Sequence, residues 1–274
     1  MALTNFIPTI WSEALYQELD NKYIAVKNCN REYEGDIKSK GNTVKISGVG
    51  DISVFDYTRN TDMSAPETLS DSARTLTIDQ AKAFNFQIDD VDKAQSVPRL
   101  MQAAMKKAAS ALANTADNYV FGLVNSCDEA NVIDLGNATA ENIIDFILSV
   151  RTRLYRSNIY DSDDVIFEVS PEVGELIMKA KINLSTGNRD VLENGCIGSI
   201  SGAKIYVSNN VVRDGNTHKC VARSKRSVAF AEQLSEIEAY RPEKRFADAV
   251  KGLHLYGAKI VFPEEYFVMN LNLA

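Results

Sequence analysis

Basic residues are in the minority in this 274-residue chain, with 30 lysines and arginines against 37 aspartates and glutamates and a net charge of −7. A surface that neutralises nucleic-acid phosphates needs clustered cations, so a dedicated DNA-binding module is disfavoured. Long apolar runs are missing too. No stretch reaches the roughly 20 residues of a spanning helix, and the opening MALTNFIPTIWSEAL lacks the basic and apolar regions of a secretory signal. The expectation is a protein made in the cytoplasm with no membrane contact. Cysteine is sparse: Cys29, Cys127, Cys196 and Cys220 show no CxxC spacing, which argues against a disulfide framework or a zinc site.

Chemistry-bearing motifs are equally scarce. HExxH, GxGxxG, Walker A and GxSxG are all absent, and only two histidines occur, His218 and His254, both in strand-like segments. The acidic group Asp161, Asp163 and Asp164 has neither the glycine nor the distal glutamate of a calcium loop. No catalytic residues, cofactor or metal are therefore expected. One enzymatic arrangement stays open: Cys127 or Cys196 as nucleophile with His218 as base, which requires the pair to meet within about 3 Å.

What the chain does have is a sound globular composition, 45% hydrophobic and 24% charged, and enough length for a sizeable core. Its organising stretch runs from Ser96 to about Asn125. Met101, Ala104, Met105, Ala108, Leu112, Thr115, Ala116, Tyr119 and Leu123 recur at three- and four-residue steps, with Lys106, Lys107, Asn114 and Asp117 off the stripe. Ser96 suits a cap and Pro98 a first turn. Such a helix spans roughly 40 Å, and its many alanines keep it thin. Before it, Leu15, Leu19 and Tyr23 mark a short amphipathic helix, preceded by an arm carrying Phe6, Ile7, Ile10 and the lone Trp11.

Between about Arg31 and Asp92 the period changes to two. Val44 and Ile46, Leu76 and Ile78, and Phe84, Phe86 and Ile88 alternate with polar residues around a turn-rich tip, TRNTDMSAPETLSDS. The simplest assembly is a long two-stranded excursion, out through 42–57 and back through 73–88. Two strands alone are marginal in water and leave both edges unpaired, so the ribbon needs something to lie on. After the long helix, a helix with Ile143, Ile147, Val150 and Leu154, a buried strand VIFEV at 165–169 and a helix opened by Ser170-Pro171 form a separate α/β unit. Residues 183–200 read as a loop. Strands then return at 203–207, 219–222, 228–231 and 237–240, and one more long strand starts near Phe246.

This order of parts, an arm, a ribbon, a long thin helix, an α/β unit and a returning strand, resembles the major capsid protein of tailed bacteriophages, of the HK97 type. ISGVGDISVFDY, TIDQAKAFNFQIDDVDKAQS and GSISGAKIYVSNNV are similar to segments of such coat proteins. The resemblance implies an α+β HK97-like capsid fold: N-terminal arm at 1–30, E-loop at 31–92, peripheral domain with spine helix at 93–135 and 241–274, and axial domain at 136–240. It implies a structural, non-enzymatic protein that self-assembles into hexamers and pentamers of an icosahedral shell enclosing double-stranded DNA without sequence-specific binding. Partners would be further copies, a portal protein and, since the chain opens directly on the arm, a separate scaffolding protein or none. Subunit contacts would fall on Phe6, Ile10 and Trp11 of the arm and Arg59, Asp62, Met63 and Pro66 of the ribbon tip. The nearest rival shares the fold, an encapsulin-like nanocompartment.

Overall fold

The computed structural model describes residues 15, 17–32, 43–49, 56, 59, 62, 71–89, 100–159, 164–183 and 196–273. Its backbone is α1 (Leu100–Gly122), a 23-residue helix continued by one 3-10 turn at Leu123–Ser126. Ser96 and Pro98 lie outside the described residues. The buried stripe of α1 is Met105, Ala109, Leu112, Ala113, Ala116, Val120 and Phe121, rotated about one position from the stripe expected of the sequence. Asp117, expected to face water, is inside it and buried. The reason is a tertiary partner far away in the chain, described below.

A ribbon is present. β1 (Thr43–Val49) and β2 (Asp71–Thr77) pair antiparallel from Thr43↔Thr77 to Val49↔Asp71. The returning half differs from expectation beyond residue 77. β3 (Gln80–Asp89) leaves the ribbon and pairs with β11 (Ala247–Ile260), which in turn pairs with β10 (Val228–Tyr240), giving a three-stranded antiparallel sheet in the order β10-β11-β3. β10 is one strand where two were expected, because a register shift between Ser235 and Ile237 breaks its alternation.

The remaining elements are β4 (Val132–Asn137), α2 (Ile143–Arg156), β5 (Val165–Val169), α3 (Pro171–Asn183), β6 (Cys196–Ile200), β7 (Ala203–Val207), β8 (Arg213–Asp214), β9 (Thr217–Ser224) and β12 (Tyr266–Asn272). Their strands make a second sheet, ordered β4-β12-β9-β5-β7-β6, with β8 beside β9. β6 lies in a stretch expected to be loop throughout. Sheet membership also cuts across the expected division at 240/241. That boundary falls at the end of β10, separating it from its partner β11, and it places β12 apart from its neighbour β9. The fully buried VIFEV strand is the expected β5, with every side chain inside.

Candidate assembly surfaces and the clamps behind them

The chain around residues 24–29 is held by its main-chain groups. Residues Val26–Asn28 form a single 3-10 turn, whose leading amides and trailing carbonyls have no partners of their own. Asp117 of α1 accepts the amides of Ile24 at 2.9 Å and of Ala25 and Val26 at 3.0 Å. From the other end, Arg223 of β9 donates to the carbonyls of Asn28 at 2.8 Å and Ala25 at 3.2 Å. Its remaining capacity goes to Glu168 of β5, at 2.9 and 3.0 Å. A negative group at the amide end and a positive one at the carbonyl end complement the turn's dipole. Burial pushes the Asp117 carboxyl up to about 6, against the pull of the three amides. Burial works against the Arg223 charge, but Glu168 more than offsets it and holds the guanidinium above its usual range.

A second clamp sits on the three-stranded sheet. Glu232 of β10 accepts from the Tyr23 hydroxyl, lies 2.7 Å from Nε2 of His254, and takes Arg31 on its other oxygen at 2.6 Å. Arg31 reaches on to Asp20. Burial first, and then Glu232, lifts the Tyr23 phenol well above its normal range. His254, a mere strand residue in the sequence, is thus part of the joint that ties residues 20–32 to the body.

The ribbon base occupies a second hydrophobic cluster. Val44, Ile46, Leu76 and Ile78 are buried with Ala229, Ala231, Leu255 and Val261. Here the backbones come close: a Cβ on Gly257 would lie 2.2 Å from the Thr77 carbonyl oxygen, and Lys259 Nζ donates to the Thr75 carbonyl at 2.8 Å. The support that the ribbon requires is therefore supplied, at its base, by the chain's own sheet.

Of the expected contact residues, Arg59 and Asp62 are exposed, while Phe6, Ile10, Trp11, Met63 and Pro66 lie outside the described residues. Two further surface features escaped the sequence reading. Phe246 is 84% exposed, just before β11; its setting in RPEKRFAD was the available signal, an aromatic stranded among charges. β3 lines the edge of its sheet with no outer partner among the described strands.

The geometry disperses the enzymatic candidates. Cys127 Sγ approaches the Tyr266 carbonyl, whereas His218 pairs with Leu271, five residues or about 16 Å further along β12. Cys196 is on β6, three strand spacings, about 14 Å, from β9 and His218. His218 instead meets Ser170 Oγ at 2.7 Å and Glu172 at 3.7 Å, both through Nδ1. A hydroxyl–imidazole–acid relay needs the two groups on opposite ring nitrogens, and Ser170 Oγ caps α3 by accepting the Val173 amide. No group of three or more metal-ligating side chains occurs among the described residues.

No protein-family profile matches the chain. Nor does any curated protein. Solved structures do. A structure of Mycobacterium phage Che8 is 31% identical over 98% of both chains, with a TM-score of 0.69, and the capsid of cyanophage P-SCSP1u, 15% identical, aligns over 90% of this chain and 86% of its own with a TM-score of 0.68. The chain belongs to the major capsid proteins of tailed bacteriophages. The α+β architecture of this capsid protein is accordingly the HK97-like fold, and it is a homo-oligomeric shell component of the virion. The holo-SrpI encapsulin complex of Synechococcus elongatus shares the capsid protein's fold at 10% identity, over 86% of this chain and 84% of its own, with a TM-score of 0.61.

Proposed function

We propose that copies of this chain close into an icosahedral shell of hexamers and pentamers around double-stranded phage DNA, held without sequence-specific contacts. The observation that carries this reading is the likeness to the Che8 phage structure along nearly the whole length of both chains. Synthesis takes place in the host bacterial cytoplasm, a separate scaffolding protein guides assembly, and a portal protein completes the shell. No catalytic step is involved. Residues 1–30 act as the arm and 31–79 as the E-loop. Sheet membership favours a peripheral domain of β3, α1, β10 and β11, and an axial domain built on the other sheet.

Physical chemistry supports the reading. An unpaired ten-residue edge on β3 and a bare Phe246 are aggregation hazards on a free subunit and become useful when neighbours cover them. The arm residues Phe6, Ile10 and Trp11 and the tip residues Arg59, Asp62, Met63 and Pro66 are assigned to such contacts. A net charge of −7 suits a wall that must release its nucleic acid. A second reading, an encapsulin-like compartment holding an enzyme, has the shared fold in its favour.

Electron microscopy of the recombinant protein, alone and with its neighbouring gene products, tests both. Rings, tubes or shells are expected, and native particles should contain DNA. Co-purifying enzyme in place of DNA would favour the compartment, and a protein that stays monomeric under every condition would overturn shell formation.

A further inference from the structure

Arg151 lies on the inner side of α2, 1% exposed, among Ile147, Val150 and Leu154 of the helix's buried face. None of its three guanidinium nitrogens has a hydrogen-bond partner, and no ion pair reaches it among the described residues. Among the described residues it is the side chain of Tyr155, one turn on, that faces the guanidinium, with the ring centroid 4.3 Å from the guanidinium carbon. Arg223 shows what an equally buried arginine receives elsewhere in this chain: a carboxylate on two nitrogens and two backbone carbonyls. Arginine cannot shed its charge. A buried cation without hydrogen bonds costs far more than a stacked ring returns, so it calls for an anion.

The place is accessible from outside. Tyr155 is 37% exposed and Leu148, on the same face of α2, 40%, so the guanidinium sits one ring's thickness beneath an apolar rim. Arg153 and Arg156 are exposed on the same helix turn and add positive charge. Ser201, in the turn between β6 and β7, and after it Arg151 itself hold the Tyr155 phenol below its ordinary range. The patch therefore adjoins β6, the outer strand of its sheet, which has no further partner among the described strands. An unpaired strand edge beside an unpaired cation fits another polypeptide better than a dissolved ion. Copies of a shell protein do meet, and each brings 37 acidic residues against 30 basic ones.

We infer that Arg151 is the receptor for a carboxylate of a neighbouring copy, reached when the Tyr155 ring turns aside on assembly. The inference rests on the shell-forming reading. It is tested with Arg151→Met and Arg151→Lys in the full chain, each examined as dilute subunit and under assembly conditions. Removing an unpaired buried charge relieves the isolated subunit, so Arg151→Met should melt no lower than wild type while its particle yield by sedimentation falls about tenfold or more. Arg151→Lys keeps the charge without the two-pronged geometry and should recover part of that yield. A clearly lower melting temperature for the Arg151→Met subunit would place the missing partner within its own fold and overturn the inference. So would a normal yield of shells from Arg151→Met while wild type also assembles. Sodium acetate serves as the free-anion probe: a rise in the melting temperature of dilute wild type that Arg151→Met lacks would assign the site to a small anion and overturn the neighbour. Wild-type subunits that never associate would overturn this inference and the shell reading together.

Discussion

Asp117 and Arg223 grip the same turn of the chain from opposite ends. The carboxylate takes the amides of Ile24, Ala25 and Val26, and the guanidinium takes the carbonyls of Ala25 and Asn28. These hydrogen bonds go to the turn's main chain, and Cys29 Sγ lies 3.6 Å from Arg223. The grip is thus indifferent to most of the turn's sequence and depends on its backbone shape. It fixes the backbone of residues 24–28 against α1 and β9.

Removing Arg223 leaves Glu168 buried and alone. Arg223→Met is expected to lower the unfolding free energy by about 3–5 kcal/mol, while the double change with Glu168→Leu recovers most of the loss. Urea titration of the dilute subunit checks this. A double variant no better than the single one would mean that the carbonyl contacts, rather than the ion pair, dominate.

The Asp117 carboxyl, raised by burial to about 6, gives a pH dependence of definite sign. A carboxyl that titrates higher in the folded state than in the unfolded one holds its proton more tightly when folded. Its contribution is complete below pH 4 and is lost as pH rises to about 6. The stability difference between wild type and Asp117→Asn should fall by about 3 kcal/mol across that window and then level off. A difference that grows with pH would contradict the assignment.

Gly257 has no room for a side chain, because its Cβ would meet the Thr77 carbonyl. Gly257→Ala must push β2 off the sheet and should cost about 3 kcal/mol, the upper end for overpacking against rigid backbone. Proteolysis within residues 50–70 should quicken in parallel. Unchanged stability would show that the ribbon base shifts freely.

Burial lifts the thiols of Cys29 and Cys127 to about 11 and that of Cys220 to about 12. At pH 8 few of these groups are thiolate, the species that alkylates. Iodoacetamide should therefore leave Cys29 and Cys220 unmodified in the native protein and label both in urea, as read by peptide mass spectrometry. Native labelling within minutes would refute it.

Local periodicity made the elements legible and left their partners obscure. The alternation in β3 and β11 is plain in the sequence, but nothing local in either names the other. Alternation alone therefore runs the return strand on as ribbon to residue 88, whereas past Thr77 it pairs with a strand more than 150 residues later. β12 was overlooked because it is buried on both faces, and such a strand reads as an apolar run without alternation. Asp117 departs from expectation for a related reason: a charged residue on an amphipathic helix normally marks the wet side, and its burial depends on the distant amides of Ile24, Ala25 and Val26. Sequence carries no distances, so it leaves Cys127 and His218 open as a pair that the sheet register holds apart.

β12 lies between β4 and β9, and β11 is the middle strand of the other sheet. The three-stranded sheet consequently stays open until the ribosome has made residue 260, and the other until residue 272, since in each a strand that joins two others comes last. A nascent chain has no finished face to offer its sisters. Strand order thus works against association of nascent chains on the polysome, where identical chains crowd together.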